Sequence, residues 1–201
     1  MLKKTVLAPS VSKFVGRIFE PIPLSPNQWT ALSVLFALAG FYFLAVQKRF
    51  LIALVFFAIG IFLDIIDGAI ARAKNLVSAK GAFLDGMCDR LTEFMLLYGL
   101  ILYGIPNYYL AGALWLVLLI FFGSIMTAFT RAYAVYTKAV SFEKVKEMPG
   151  LLERTERMLL VLLGMLGFLF LSPIYLTYAI ILATALSVIT VLQRFIFALN
   201  A

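Results

Sequence analysis

Residues 50–63 read FLIALVFFAIGIFL, a run without one polar side chain, and Asp64 and Asp67 follow at once. In hydrocarbon such a run satisfies its backbone only as a helix. The carboxylates at its end would then stand at membrane depth, where ionisable groups are costly and mark function. The whole chain has a composition to match. Its 201 residues are 64% hydrophobic and 13% charged, with a mean hydropathy of +1.03; a soluble domain is about 45–50% apolar and about 25% charged. The apolar runs are continuous rather than alternating, which excludes a β-barrel. At about 20 residues per span, roughly six helices fit. The expected fold is an all-α integral membrane protein of six transmembrane helices with an N-terminal interfacial helix.

That interfacial helix is read from residues 3–20. Leu7, Val11, Phe14, Val15 and Ile18 fall on one face, and Ser10, Lys13, Arg17 and Glu20 on the other, a pattern suited to lying in the membrane interface. No cleavable signal peptide is expected, because residues 1–20 lack a continuous apolar core. Pro21 and Pro23 end the segment, so 1–24 is juxtamembrane. Ser25-Pro26-Asn27-Gln28 carries a helix-start signature. The spans are then expected at about 29–46, 50–73, 81–103, 108–136, 151–171 and from Pro173 to about Leu199, with a polar segment at 137–150. No internal repeat or second domain is visible, so 1–201 reads as one domain.

Six spans put both termini on one side. Of the 17 Lys and Arg residues, only Lys48 and Arg49 lie near the opposite side. The positive-inside rule therefore puts the termini, the loop after the second span and the polar segment in the cytosol of a multi-pass cell-membrane protein. The net charge of +7 is explained by that asymmetry and calls for no nucleic acid. A single Cys88 and no His leave Asp and Glu as the available bases and metal ligands.

Every Asp in the chain lies between residues 64 and 89. On a helix, Asp64, Asp67, Gly68, Ala71 and Arg72 share one face, and Gly81, Asp85, Asp89 and Glu93 share another. The two helices are joined by a short turn and run antiparallel, so the carboxylate faces can meet. Four clustered carboxylates repel unless cations neutralise them. Oxygen-only ligands suit Mg²⁺, Mn²⁺ or Ca²⁺, and a diphosphate is the natural further party. Gly68 and Gly81 leave room for a ligand, and Arg72 suits phosphate. Arg90 and Glu93 are expected to pair with each other, and Cys88 to pack.

The pattern Asp64-x2-Asp67-Gly68-x2-Ala71-Arg72-x8-Gly81-x3-Asp85-x3-Asp89 resembles the signature of the CDP-alcohol phosphotransferases, membrane enzymes of phospholipid headgroup synthesis. The resemblance covers nearly the whole chain. It implies a homodimer of six-helix protomers and two divalent metals per site, Mg²⁺ or Mn²⁺. By the same resemblance, Asp64, Asp67, Asp85 and Asp89 hold metal, and Asp89 is also the general base. It places Gly68, Ala71 and Gly81 against the CDP part, with Arg72 near its phosphates. Asn27 in Pro26-Asn27-x2-Thr30 resembles a helix start near the nucleotide in that family. The implied reaction is attack by an alcohol hydroxyl on the lipid-bearing phosphorus of a CDP-lipid, CDP-diacylglycerol or CDP-archaeol, with CMP leaving.

A second basic group bears on the acceptor. Arg131, Arg154, Arg157 and Arg194 stand at helix ends on the cytosolic side, and several cations suit a phosphorylated acceptor. The run Glu153-Arg154-x-Glu156-Arg157 resembles the branch of the family that uses inositol 1-phosphate, the phosphatidylinositol phosphate and archaetidylinositol phosphate synthases. Carried over, the acceptor's phosphate falls to Arg131, Arg154 and Arg194. Glycerol 3-phosphate or CDP-inositol chemistry in the same family stays open as an alternative. A cation transporter, the reading from another class, predicts acids spread along a pore rather than clustered at one depth.

Overall fold

A serine, a proline and a glutamine start the first membrane-length helix of the computed structural model, which describes residues 14–19, 21–74 and 76–201. Ser25 is the N-cap of α1 (Pro26–Ala45), and its backbone N–H donates to Gln28 Oε1 at 2.7 Å. Gln28 in turn donates its N–H to Ser25 Oγ at 3.4 Å, so the expected capping box forms. The chain continues as α2 (Phe50–Ala73), α3 (Ala79–Tyr103), α4 (Gly112–Tyr136), α5 (Arg154–Phe170) and α6 (Ile174–Leu199). The centre of α4, Leu119–Met126, is wound as a π-helix. A short 3₁₀ turn, Lys144–Glu147, lies in the polar segment. Among the described residues there is no strand, only one isolated bridge between Tyr108 and Leu110.

Four of these helices, α1, α2, α4 and α6, are long and apolar enough to cross a membrane. Their outward faces carry large apolar side chains such as Leu35, Phe62, Phe121 and Leu192, as hydrocarbon requires. The 25 residues of α3 are interrupted by charged groups, and α5 has 17 residues. The expected interfacial helix at 3–20 falls largely outside the described residues. Its described part, 14–19, is helical and packs on α2, where a Cβ on Gly16 would lie 3.1 Å from Ala73 Cβ. Phe19 meets Trp29 edge to face at 5.8 Å.

The described chain forms two compact units that divide after Tyr103. In the first, α1, α2 and α3 bury Leu44, Ala53, Phe57, Leu96, Leu97 and Leu100. Trp29 closes on Ile66 and Ile70 beneath the aspartates. Buried glutamate in α3 is handled locally: Arg90 Nη1 donates to Glu93 Oε2 at 3.1 Å, and Glu93 is fully buried. Gly104, at φ +91°, ends α3 in a conformation that costs glycine least.

In the second unit, α4, α5 and α6 bury Leu116, Leu119, Val161, Met165, Leu176, Ile180 and Ala183. Thr177, Thr184, Ser187 and Thr190 form a buried small-polar line along α6, the residue type that lets membrane helices approach closely. The fourth span starts later than the sequence expectation of Tyr108. Tyr108 and Leu110 exchange backbone hydrogen bonds instead. Asn107 Oδ1 accepts from Gly112 N at 2.9 Å, which fixes the start of α4.

Candidate active site

Asp64 and Asp67 follow the apolar half of α2, and Asp85 stands two turns into α3. Each offers a carboxylate oxygen, and these oxygens all lie within 4.8 Å of one another. Asp67 is buried, while Asp64 and Asp85 are half-buried. The spacing of three residues on α2 sets two carboxylates on one face, and the antiparallel α3 supplies the third. Three negative groups at this separation raise a strong demand for a cation. An all-carboxylate donor set fits a hard divalent ion. Asp89, half-buried one turn after Asp85, stands outside this group of three.

Asp67 has a partner that sequence reasoning missed. Thr30, on α1, donates its Oγ1 proton to Asp67 Oδ2 at 2.7 Å, and both residues are only 4% exposed. Thr30 Oγ1 also lies 3.1 Å from Pro26 O in the turn below. A hydroxyl fixed in this way sets the carboxylate's orientation. The available signal was a Thr one turn inside an apolar helix, but its partner lies 37 residues away.

The expected nucleotide residues lie in the same unit. The nearest atoms to a Cβ on Gly68 would be those of the Arg72 guanidinium, 3.5 Å and more away. No contact among the described residues is tight enough to require glycine at 68, though glycine in mid-helix costs about 1 kcal/mol. Arg72 is exposed and Ala71 half-buried. A Cβ on Gly81 would lie 3.7 Å from Asn27 Oδ1 and 3.0 Å from Ser78 Oγ, so Asn27 and Gly81 are neighbours. Ser78 Oγ accepts from Gly81 N at 3.0 Å and secures the start of α3; the sequence reading did not single it out.

The second basic group lies in the other unit. Glu153, which precedes α5, bridges two arginines through one oxygen. Arg194 Nη2 donates to Glu153 Oε1 at 2.8 Å and Arg131 Nη2 at 3.5 Å. Burial works to raise the Glu153 carboxyl, and the charges of Arg194 and Arg131 outweigh it, leaving it below the usual carboxylate range. Arg194 also donates from Nε to Pro149 O at 3.1 Å and from Nη1 to Thr127 O. Arg154 is half-buried at the first position of α5. Arg157 is 1% exposed and packs on the π-helical turn, 3.0 Å from where a Gly123 Cβ would be.

The chain is similar to several known proteins. The family model described as CDP-alcohol phosphatidyltransferase matches residues 23–196. The archaetidylinositol phosphate synthase of Pyrococcus horikoshii is 30% identical over 152 residues, covering 76% of this chain and 74% of that one. That of Methanothermobacter thermautotrophicus is 31% identical over 189 residues, covering 94% and 90%. Two solved structures of Mycobacterium tuberculosis phosphatidylinositol phosphate synthase share the fold at 22% identity and a TM-score of 0.73. The one in complex with manganese and citrate is matched over 93% of this chain and 88% of that chain. The one with CDP-DAG bound is matched over 94% of each.

Proposed function

Because this chain belongs to the CDP-alcohol phosphatidyltransferase family and is a multi-pass membrane transferase, we propose that it transfers a lipid phosphate from a CDP-lipid to inositol 1-phosphate. The observation that carries the reading is the meeting of Asp64, Asp67 and Asp85 oxygens within 4.8 Å. The relatives' names support the inositol phosphate acceptor, and the manganese and CDP-DAG complexes of the related fold support a metal and a CDP-lipid. The donor is CDP-archaeol or CDP-diacylglycerol.

Asp64, Asp67, Asp85 and Asp89 would hold Mg²⁺ or Mn²⁺, two ions per site. Bound there, the ions supply positive charge to the transferring phosphate and its leaving group. Thr30 holds Asp67 in register. Gly68, Ala71, Gly81 and Asn27 receive the cytidine part, and Arg72 pairs with its phosphates. Asp89 takes the proton from the acceptor hydroxyl. That oxygen forms a bond to the lipid-bearing phosphorus as the bond to the CMP oxygen breaks, and CMP leaves. Arg131, Arg154 and Arg194 serve the acceptor's own phosphate. In this reading the six long helices all span the membrane as one domain, with 1–24 at the interface. The working protein is a homodimer whose site and termini face the cytoplasm.

The test is CMP release by purified protein in detergent with Mg²⁺ and a CDP-lipid. Inositol 1-phosphate, inositol, glycerol 3-phosphate and serine are supplied side by side. Release with inositol 1-phosphate alone, lost in Asp89→Asn, is the expected result. Release with glycerol 3-phosphate instead moves the acceptor, and release with unphosphorylated inositol removes the role given to the arginines.

A further inference from the structure

In the second unit an anion already sits between two guanidiniums, and it belongs to the protein. Glu153 Oε1 lies 2.8 Å from Arg194 Nη2 and 3.5 Å from Arg131 Nη2. The two arginines are not equivalent. Arg194 is 3% exposed, and its Nε and Nη1 are committed to Pro149 O and Thr127 O, so three of its nitrogens act inside the fold. The Arg131 side chain is 40% exposed, and its contact to Glu153 is the longer of the two. Its Nε is closed to solvent and has no acceptor among the described residues. Room for the shared carboxylate comes from Gly150, where a Cβ would lie 2.6 Å from Glu153 Oε1 and 2.9 Å from Arg194 Nη2.

We propose that Glu153 is a built-in counter-anion that an incoming phosphate displaces from Arg131. This rests on the acceptor reading above and assigns each member of the group a part. Arg194 is the fixed anchor that keeps the carboxylate when the phosphate arrives. Arg131 is the arm that exchanges its 3.5 Å contact for phosphate oxygens, which offer a planar guanidinium two parallel hydrogen bonds. Glu153 is a positioning and specificity residue. It keeps the arginines compensated while no acceptor is bound, and its charge sets how strongly a phosphate must compete. A neutral polyol cannot compete, because it leaves Arg131 nothing better than the carboxylate it already has.

The experiment uses the full-length protein in detergent and inorganic phosphate as the probe. Glu153→Gln keeps the shape and an acceptor oxygen for Arg194 but removes the charge. The expected result is phosphate binding about tenfold tighter by isothermal titration, the size of one screened charge at a half-exposed site. The KM for the phosphorylated acceptor should fall in parallel, with the KM for the CDP-lipid unchanged. Unchanged or weaker phosphate binding in a Glu153→Gln protein that melts like the parent overturns the inference. So does a shift confined to the CDP-lipid KM, which would put these arginines on the donor's phosphates. Should Glu153→Gln lose its fold, Arg131→Gln decides: abolished phosphate binding with little change in melting temperature supports the assignment, and retained binding overturns it. The titration needs no turnover. It can therefore succeed where inositol 1-phosphate fails as acceptor, and fail where that acceptor is used.

Discussion

Replacing Thr30 by Val removes one hydroxyl and almost no volume, and it should appear as a metal defect. In the structure Thr30 Oγ1 donates to Asp67 Oδ2 at 2.7 Å, with both residues 4% exposed. Water cannot readily take the vacated place at that burial. A hydrogen bond to a charged group contributes about 1.5–3 kcal/mol, and each 1.4 kcal/mol is tenfold. If the bond holds Asp67 in the orientation a cation needs, its loss raises the metal concentration for half-maximal activity by about 10- to 100-fold. The same range is typical for groups that orient metal ligands. The assay is CMP release titrated with Mg²⁺ and separately with Mn²⁺, for wild type, Thr30→Val and Thr30→Ser. Serine keeps the donor and should stay within about threefold of wild type. A Thr30→Val protein with an unchanged metal titration and a lowered melting temperature would refute the reasoning, since Thr30 would then support packing alone.

Gly68→Ala should hold or raise the melting temperature, because alanine is favoured in mid-helix by about 1 kcal/mol and the nearest atom to its Cβ would be Arg72 Nη1 at 3.5 Å. Activity should nevertheless fall through a KM for the CDP-lipid about tenfold higher, the usual cost of crowding a fitted contact; steady-state kinetics beside a melting curve separate the two. Arg194→Ala should lower the melting temperature more than Arg131→Ala, since Arg194 ties Thr127, Pro149 and Glu153 together. Glu153 lies below its ordinary value in the fold, so its stabilising charge is present above the unfolded pKa of about 4.3. It is lost as pH falls through the lower folded value. Melting curves from pH 6 downward should show wild type losing stability below about pH 4.3 more steeply than Glu153→Gln.

What the sequence made legible follows the range of the forces involved. The cap of α1 is written in Ser25 and Gln28, three residues apart, and forms as read. The facing of Asp64 and Asp67 follows from helical periodicity alone, and the short link to α3 brings Asp85 to them. The Arg90–Glu93 pair is again one turn apart. Contacts across longer separations were not legible. Thr30 reaches Asp67 only because α1 packs on α2. Glu153, read only as part of the Glu153-Arg154-x-Glu156-Arg157 run, finds Arg194 41 residues on. The π-helical turn at Leu119–Met126 is apolar but for Ser124, so its pattern matches an α-helix equally well. It coincides with Arg157 filling the space beside Gly123, a tertiary condition that no local window contains.

Charge in this chain is managed in two ways, and the contrast argues for where ligands act. Glu93 is fully buried and held by Arg90 one turn away. Glu153 is held between two arginines, one of them nearly inaccessible. In both places opposite charges neutralise each other inside the fold, as low-dielectric surroundings require. Asp64, Asp67 and Asp85 present a different arrangement. Like charges are drawn together within 4.8 Å, and a neutral hydroxyl from Thr30 rather than a cation is built against the most buried of them. A hydroxyl orients a carboxylate without itself cancelling a charge, which suits Asp67 to the part of a metal ligand.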